Sequence, residues 1–140
     1  MADKIEFAGP EWHERLKGLL EKYTAAAGPD VELTICEVFT DVPEHLDKDG
    51  SGRIAWNCRI AGGKVDFRYG EIASADLKTI ADYDFVLRLA RMKMEEGTLA
   101  EYRAIQAEGA ASGKLNTTGD HSKIPPSFHG MHNDLAEVTA

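Results

Sequence analysis

The sequence has no long apolar run and few positive charges, and each shortage excludes a class of protein. No apolar stretch approaches the roughly 20 residues that a membrane-spanning helix requires, so stable membrane insertion is not expected. The opening, MADKIEFAGPEW, carries acidic residues and lacks the apolar segment that directs secretion. We therefore predict a cytoplasmic protein.

The charge balance argues against binding to nucleic acid. The 140 residues carry a formal net charge of -8, with 16 Lys and Arg against 24 Asp and Glu. The basic residues are scattered, whereas nucleic acids and anionic membrane surfaces attract basic patches. The length fits one domain with a single hydrophobic core.

Cysteine is scarce as well. Cys36 and Cys58 lie in strand-like stretches without a CxxC spacing, which favours reduced, buried thiols over a disulfide or a metal site. The chain also lacks a glycine-rich phosphate loop and a GxSxG sequence. We therefore predict no metal and no cofactor.

The stretch LDKDGSGRIAWNC, residues 46–58, resembles a calcium loop but lacks a necessary ligand. Asp47, Asp49 and Ser51 occupy the first, third and fifth places of an EF-hand, with Gly52 at the sixth. The twelfth place requires a bidentate carboxylate, but it is Cys58, and a thiol is a poor ligand for a hard cation. Asp, Asn, Ser and Gly also favour turns, so we predict a turn without calcium.

Apolar periodicity divides the chain into a helix, an antiparallel meander and further helices. AGPEWHERLKGLLEKYTAAAGP predicts a helix, and VELTICEVFTDV predicts a strand. SGRIAWNCRIAGGKVDFRYGEI predicts a hairpin with its turn at Gly62-Gly63, and ADLKTIA a short strand. DYDFVLRLARMKMEEG and TLAEYRAIQAEG predict helices, the second with a capping box of Thr98 and Glu101. ASGKLNTTG predicts one brief edge strand, which completes a single α+β domain.

Histidines and aspartates cluster near the end of the sequence. His121, His129 and His132 accompany Asp120 and Asp134 within the last 21 residues of the 140. A histidine here could act as an acid–base group near neutral pH, or all three could be solvated residues of a polar tail. No third ligand has a fixed spacing, so we expect no metal site.

The order of the elements resembles the sterol carrier protein family of lipid-binding domains. The matching pieces are Leu77 to Ala81, Asp82 to Met94, Thr98 to Ala107, and Gly113-Lys114-Leu115 with Gly119-Asp120. PEWHERLKGLLEKY and IAWNCRIAGGKVDFRYGEI also look like the first helix and central hairpin of bacterial members. We predict a sterol-carrier-like domain over 1–120 and a histidine-rich C-terminal extension, 121–140, packed on the same domain.

The resemblance implies about five strands in a mostly antiparallel sheet, covered on one side by helices. It also implies an apolar tunnel that binds a fatty acyl chain, a sterol or a similar lipid. Aromatic, methionine and aliphatic residues suit such a tunnel as well as a packed core. The expected ligand-binding residues are Trp56, Phe67, Phe85, Leu89, Met92, Leu99, Tyr102, Ile105, Phe128 and Met131. No catalytic residue is carried over from the family.

Three hypotheses about function follow. The first is binding of a hydrophobic or amphipathic small molecule without catalysis. The second is an enzyme on the same fold that acts on a hydrophobic carbonyl or steroid-like substrate, with His121, His129 or His132 as acid or base, oriented by Asp120 or Asp134. The third is a protein-interaction module that uses the hairpin face, where Trp56 could also support a homodimer.

Overall fold

The structure is a computed structural model that describes residues 4–47, 49–125 and 128–140. The helices are α1 Pro10–Ala27, α2 Tyr83–Ala90, α3 Leu99–Ser112 and α4 His129–Val138. The strands are β1 Leu33–Thr40, β2 Arg53–Ala61, β3 Lys64–Tyr69, β4 Leu77–Asp82 and β5 Leu115–Gly119. Short 3-10 turns cover Glu44–Leu46 and His121–Lys123.

The five strands form one mixed sheet in the order β3-β2-β1-β4-β5, so β1 is the central strand. β1 and β4 are parallel, and the other three neighbouring pairs are antiparallel. Gly62 and Gly63 both have positive φ in the turn between β2 and β3, as a tight hairpin requires. The predicted α+β fold with a mostly antiparallel five-stranded sheet is confirmed.

The four helices pack on the sheet and on one another. α1 contacts β3, α2 contacts β4, α3 contacts β5, and α4 packs on α1 and α2. The Trp12 indole N–H donates to Thr139 Oγ1 at 3.2 Å, and Ile5 pairs with Thr139 in an isolated bridge. Among the described residues, no helix is long and apolar enough to cross a membrane. The division of the chain at residue 120 stays a prediction.

One helix boundary and one helix cap differ from those expected. Asp82 caps α2 by accepting from the Phe85 N–H at 3.0 Å, but α2 ends at Ala90 instead of continuing towards Gly97. The predicted capping box is wrong. The Thr98 hydroxyl makes no capping bond to α3 and donates instead to the Lys93 carbonyl oxygen at 2.5 Å.

A tertiary contact accounts for the irregular segment between α2 and α3. The Asn133 side chain of α4 accepts from the Met94 N–H at 2.6 Å and donates to the Met94 carbonyl oxygen at 3.0 Å. These two bonds satisfy backbone groups that a longer α2 would have used within the helix. The conformation of this segment is therefore set by its contact with α4 and not by its own helix propensity.

The connection between β3 and β4 crosses the sheet on the face away from the helices. The strand order requires this connection to pass β2 and β1. The Lys78 ammonium donates to the Ile72 carbonyl oxygen and to Glu71 Oε2, both at 2.9 Å. Lys78 is the register partner of Cys36, and both Cys36 and Val38 are fully buried. We call this the closed face of the sheet.

Two hydrophobic clusters join the layers. The larger one includes an aromatic group in which the Phe7 ring centroid lies 4.9 Å from those of Trp12 and Phe39. The smaller one, the α2–α3 cluster, consists of Phe85, Leu89, Tyr102 and Ile105. Within this cluster, α3 approaches α2 closely at Gly109, where an added Cβ would lie 2.5 Å from Phe85 Cε1.

The calcium-like stretch begins in the connection between β1 and β2 and continues into β2. Asp47 Oδ2 accepts from the Gly52 N–H at 2.9 Å, and Asp49 Oδ1 accepts from the Ser51 N–H at 3.0 Å. Such side-chain bonds to nearby backbone are typical of turns. Across 4–47, 49–125 and 128–140, no group of three or more His, Cys, Asp or Glu could hold a metal ion. Lys48 lies outside the described residues, and the lack of calcium binding stays a prediction.

Candidate ligand-binding cavity

A cavity of about 350 Å³ lies between the sheet and the helices, within the roughly 300–1,000 Å³ of small-molecule pockets. Its lining is mostly aliphatic and aromatic. The sheet contributes Ile35, Glu37, Phe39, Trp56, Leu77, Thr79, Leu115 and Thr117. The helices contribute Trp12, Leu16, Leu20, Val86, Leu89, Ala90, Tyr102, Gln106, Met131, His132 and Leu135. Phe7, Met94, Ile124 and Phe128 complete it from the connecting segments.

The central strand presents every second side chain to this cavity. Ile35, Glu37 and Phe39 line it, whereas Cys36 and Val38 between them are buried on the closed face. This alternation is the ordinary consequence of the two-residue repeat of a β-strand. It places a carboxyl group between two apolar side chains on the inward face of β1.

Residues with hydrogen-bonding groups continue across the sheet at the level of Glu37. Trp56 of β2 and Thr79 of β4 are its register partners, and Thr117 of β5 is the partner of Thr79. All four residues line the cavity, and the Thr79 and Thr117 hydroxyl oxygens are 3.3 Å apart. We call Trp56, Glu37, Thr79 and Thr117 the polar row.

The surroundings of Glu37 disfavour its charged form. The Glu37 side chain is half-buried. Because it lines the cavity, we take its accessible surface to face the cavity space. Burial raises the pKa of Glu37 from 4.5 to about 7. Within the described part of the chain, no donor or cation partners the carboxyl group. Glu37 therefore titrates close to neutral pH.

Two neighbours of Glu37 add polar groups to the cavity wall. Trp56 is 2% exposed, and no acceptor among the described residues meets its indole N–H. Burial, and to a lesser extent the charge of Glu37, raises the pKa of Tyr102 to about 12. The phenol therefore stays protonated at neutral pH.

His132 reaches the cavity from α4. Its Nε2 donates to the Met92 carbonyl oxygen at 2.7 Å, and its ring meets the edge of the Tyr102 ring with 5.2 Å between centroids. Burial lowers the pKa of His132 below its usual value of 6.5. The imidazole is therefore neutral at pH 7.

The cavity reaches the surface between α3 and β5. Gln106 and Thr117 both line it and are both exposed. Thr117 stands on the edge strand, two strands from Glu37. We call this opening the mouth.

Comparison with known proteins shows similarity in structure but not in sequence. No protein-family model and no curated protein matches the chain. Sterol carrier protein domain 2 of Helicoverpa armigera matches with a TM-score of 0.58 and 13% identity, covering 98% of this chain and 96% of that chain. A crystal structure of sterol carrier protein 2 matches at 0.57 and 13%, covering 96% and 100%. A conserved hypothetical protein from Thermus thermophilus matches at 0.51 and 16%, covering 99% and 94%.

The chain has the sterol carrier protein fold. At these identities the similarity establishes the fold and nothing finer, and it confirms the resemblance inferred from the order of the elements. In this sterol-carrier-like domain, the cavity lies between the helices and one face of the sheet, and the tunnel stays a prediction.

Half of the ten residues expected to bind ligand line the cavity of this sterol-carrier-like domain. They are Trp56, Leu89, Tyr102, Phe128 and Met131. The other five lie elsewhere. Phe67 stacks on Trp56 with 5.5 Å between ring centroids, Phe85 and Ile105 belong to the α2–α3 cluster, Met92 packs against that cluster, and Leu99 begins α3.

The structure describes only some of the side chains proposed for acid–base chemistry. His132 lines the cavity. The side chains of His121 and His129 lie outside the described part of the structure. Asp120 is exposed, and its Oδ1 accepts from the Ser122 N–H at 2.9 Å, which stabilises the following 3-10 turn.

Glu37 and Thr79 are the functional candidates that sequence reasoning missed. The predicted strand VELTICEVFTDV already contained the signal, because Ile35 and Phe39 occupy the same face as Glu37. An acid between two inward-facing apolar residues is unusual, because burying an unpaired charge is costly. Leu16 and Leu20 of α1 were not singled out either, and they also line the cavity.

Proposed function

We propose that this protein binds a lipid or another hydrophobic or amphipathic molecule inside the cavity. The observation that carries the proposal is the mostly apolar cavity of about 350 Å³ between the sheet and the helices. Burying an acyl chain contributes about 0.8 kcal/mol per methylene, so ordinary packing in such a space gives useful affinity. The proteins that share the fold and are named sterol carrier proteins support the same assignment.

The contacts of the C-terminal side chains favour binding without chemistry. His132 donates its Nε2 proton to the Met92 carbonyl oxygen at 2.7 Å, which holds α4 against the segment after α2. Asp134 accepts from the Tyr23 hydroxyl at 2.6 Å, on the side of α4 that faces α1. Both groups therefore have structural partners. Trp56 is 2% exposed and lines the cavity, so the suggestion that it supports a homodimer is wrong. The cytoplasmic location and the homodimer itself stay predictions from the sequence.

A cavity-filling substitution tests the proposal directly. Ala90→Phe places a large ring in the lining, so we expect it to weaken decanol binding at least about tenfold by removing the space for the chain. Isothermal titration calorimetry measures the affinity. Native mass spectrometry of the purified wild-type protein is expected to show a bound hydrophobic molecule.

Ala26→Phe is the matched control, because it makes the same substitution at an exposed position of α1, outside the cavity. It should bind decanol as the wild type does. Thermal melts followed by circular dichroism establish that both variants are folded. Equal affinity in Ala90→Phe and Ala26→Phe would place the ligand elsewhere and contradict the proposal.

A further inference from the structure

Glu37 is the one carboxyl side chain among the described residues that line the cavity, and nothing in the described structure neutralises its charge. It stands in the middle of the central strand and faces the helices. No Lys or Arg is among the described residues that line the cavity. A buried carboxylate without a donor is unstable. The molecule that fills the cavity is therefore the natural source of a donor.

The groups that face Glu37 from each neighbouring element are neutral near pH 7. β2 contributes Trp56 and the Cys58 thiol, whose pKa burial raises to about 12. β4 contributes Thr79. α3 contributes the Tyr102 phenol and α4 the His132 imidazole, both held neutral by burial.

The remaining helices add only apolar side chains to the lining. α1 contributes Trp12, Leu16 and Leu20, and α2 contributes Val86, Leu89 and Ala90. Because no cation lines this half-enclosed space, the charge of Glu37 acts on a ligand with less screening than it would in bulk water. A ligand carboxylate placed near Glu37 would meet like-charge repulsion, whereas a hydroxyl or ammonium group would gain a charge-assisted hydrogen bond.

The polar row leads from the mouth to Glu37. Thr117 is exposed at the edge strand, and its hydroxyl lies 3.3 Å from that of Thr79, the register partner of Glu37. Since neighbouring strands are about 4.8 Å apart, Glu37 lies about 10 Å inward from Thr117. The polar end of an amphiphile can thus follow hydroxyl groups from the surface to the carboxyl group.

We propose that Glu37 determines ligand specificity, selecting amphiphiles whose polar end is an uncharged or cationic hydrogen-bond donor, such as a primary alcohol or amine, over fatty carboxylates. This inference rests on the proposed function, because it requires the ligand to occupy the cavity. It assigns a chemical class to the polar end of the ligand and a role to a side chain that packing alone does not explain.

Three probes with the same decyl chain isolate the polar end: decanol, decylamine and decanoate. Calorimetric titrations are made at about pH 8.5 and about pH 6, on either side of the Glu37 pKa. At about pH 8.5 the wild type is expected to bind decanol and decylamine at least about tenfold more tightly than decanoate, the size of a charge-assisted hydrogen bond. Decanoate should bind more tightly at the lower pH, because protonated Glu37 no longer repels it.

Glu37→Gln keeps the shape of the side chain and removes its charge. At about pH 8.5 we expect it to strengthen decanoate binding about tenfold, to weaken decylamine binding about tenfold, and to weaken decanol binding only about threefold, since an amide oxygen still accepts but carries no charge. Its decanoate affinity should also lose the pH dependence. Glu21→Gln, the same change at an exposed position of α1, should behave as the wild type.

The outcomes separate this inference from the proposed function. If all three probes bind the wild type equally, or if Glu37→Gln leaves their ranking unchanged, the selectivity is wrong while cavity binding stands. A pH dependence of decanoate binding that persists in Glu37→Gln would assign it to another group and overturn the role of Glu37. If no probe binds the wild type at either pH, the proposed function fails and the selectivity fails with it.

Discussion

The two faces of the sheet are built from the same strands but differ in how tightly they are covered. On the closed face, Cys36 and Val38 of the central strand are 0% exposed beneath the connection from β3 to β4. On the helix face, Ile35 and Glu37 of the same strand keep accessible surface although four helices surround the cavity. The larger covering layer therefore leaves the more open packing.

The hydrogen bonds that hold each covering layer explain the difference in packing better than the size of the layer does. On the closed face, Lys78 binds both Glu71 and the Ile72 carbonyl oxygen and so holds the covering backbone close to the strands. On the helix face, α2 ends at Ala90, and the following segment is held by Asn133. The helix layer is supported at its margins, and the space above Glu37 stays open.

Among substitutions that test the difference between the two faces, Glu37→Gln is expected to change the free energy of unfolding most. Because the pKa of Glu37 rises from 4.5 to about 7 on folding, the native state binds this proton more tightly than the unfolded chain. The stability that this group contributes is present below about pH 4.5 and is lost as the pH rises through 7. The substitution should therefore raise the free energy of unfolding by up to about 3 kcal/mol above pH 7, and hardly at all near pH 4.5.

Urea unfolding at several pH values measures this difference between the variant and the wild type. A gain of the same size at both ends of the pH range would mean that packing, and not ionisation, distinguishes the two side chains. Glu21→Gln serves again as the control for a change of net charge alone.

The second-largest effect on stability is expected from a Val→Thr substitution made once on the closed face and once in the cavity wall. Val38→Thr puts a hydroxyl group into the fully buried closed face, where an unsatisfied hydroxyl costs about 1–3 kcal/mol. Val86→Thr makes the same change in the cavity wall, where Val86 is half-buried, and should cost less than about 1 kcal/mol because water can reach it. Chemical denaturation measures both. Equal costs would show that the cavity wall is as closed as the other face.

The smallest effect is expected at Glu71, and its pH dependence has the opposite sign to that of Glu37. The hydrogen bond from Lys78, helped by the charge of Arg53, lowers the pKa of Glu71. Its contribution is therefore present above about pH 4.5 and is lost as the pH falls. Since the side chain is 34% exposed, solvent screening limits the cost of Glu71→Gln to less than about 1 kcal/mol.

Unfolding measured at low and high salt checks this expectation, because the cost at neutral pH should shrink as salt screens the ion pairs. NMR titration of the two carboxyl groups gives a direct comparison. A Glu71 pKa above that of Glu37 would reverse the assigned environments of the two faces.

Much of the fold could be predicted because its signals are local. Gly62 and Gly63 at the hairpin turn, Pro10 at the start of α1 and Asp82 at the start of α2 each act within a few residues of their own position. The end of α2 could not be predicted in the same way. It depends on Asn133, whose side chain meets Met94 from 39 residues away.

The site was less predictable because core and cavity use the same residue types. Leu89 and Tyr102 line the cavity, whereas Phe85 and Ile105 of the same α2–α3 cluster do not. Apolar periodicity indicates which face of a helix is buried, but not whether the space beneath it is filled. Glu37 indicates the cavity better than apolar periodicity does. Its lack of a partner is visible only once the helices packed opposite it are known.

The positions of the two tryptophans give the protein a built-in optical probe. Trp12 and Trp56 are the only tryptophans in the chain, and they line the cavity from α1 and from β2. Indole emission responds to the polarity around the ring, and both rings border the same space. Fluorescence of the unlabelled protein should therefore report occupancy of the cavity, in real time and without any change to the sequence.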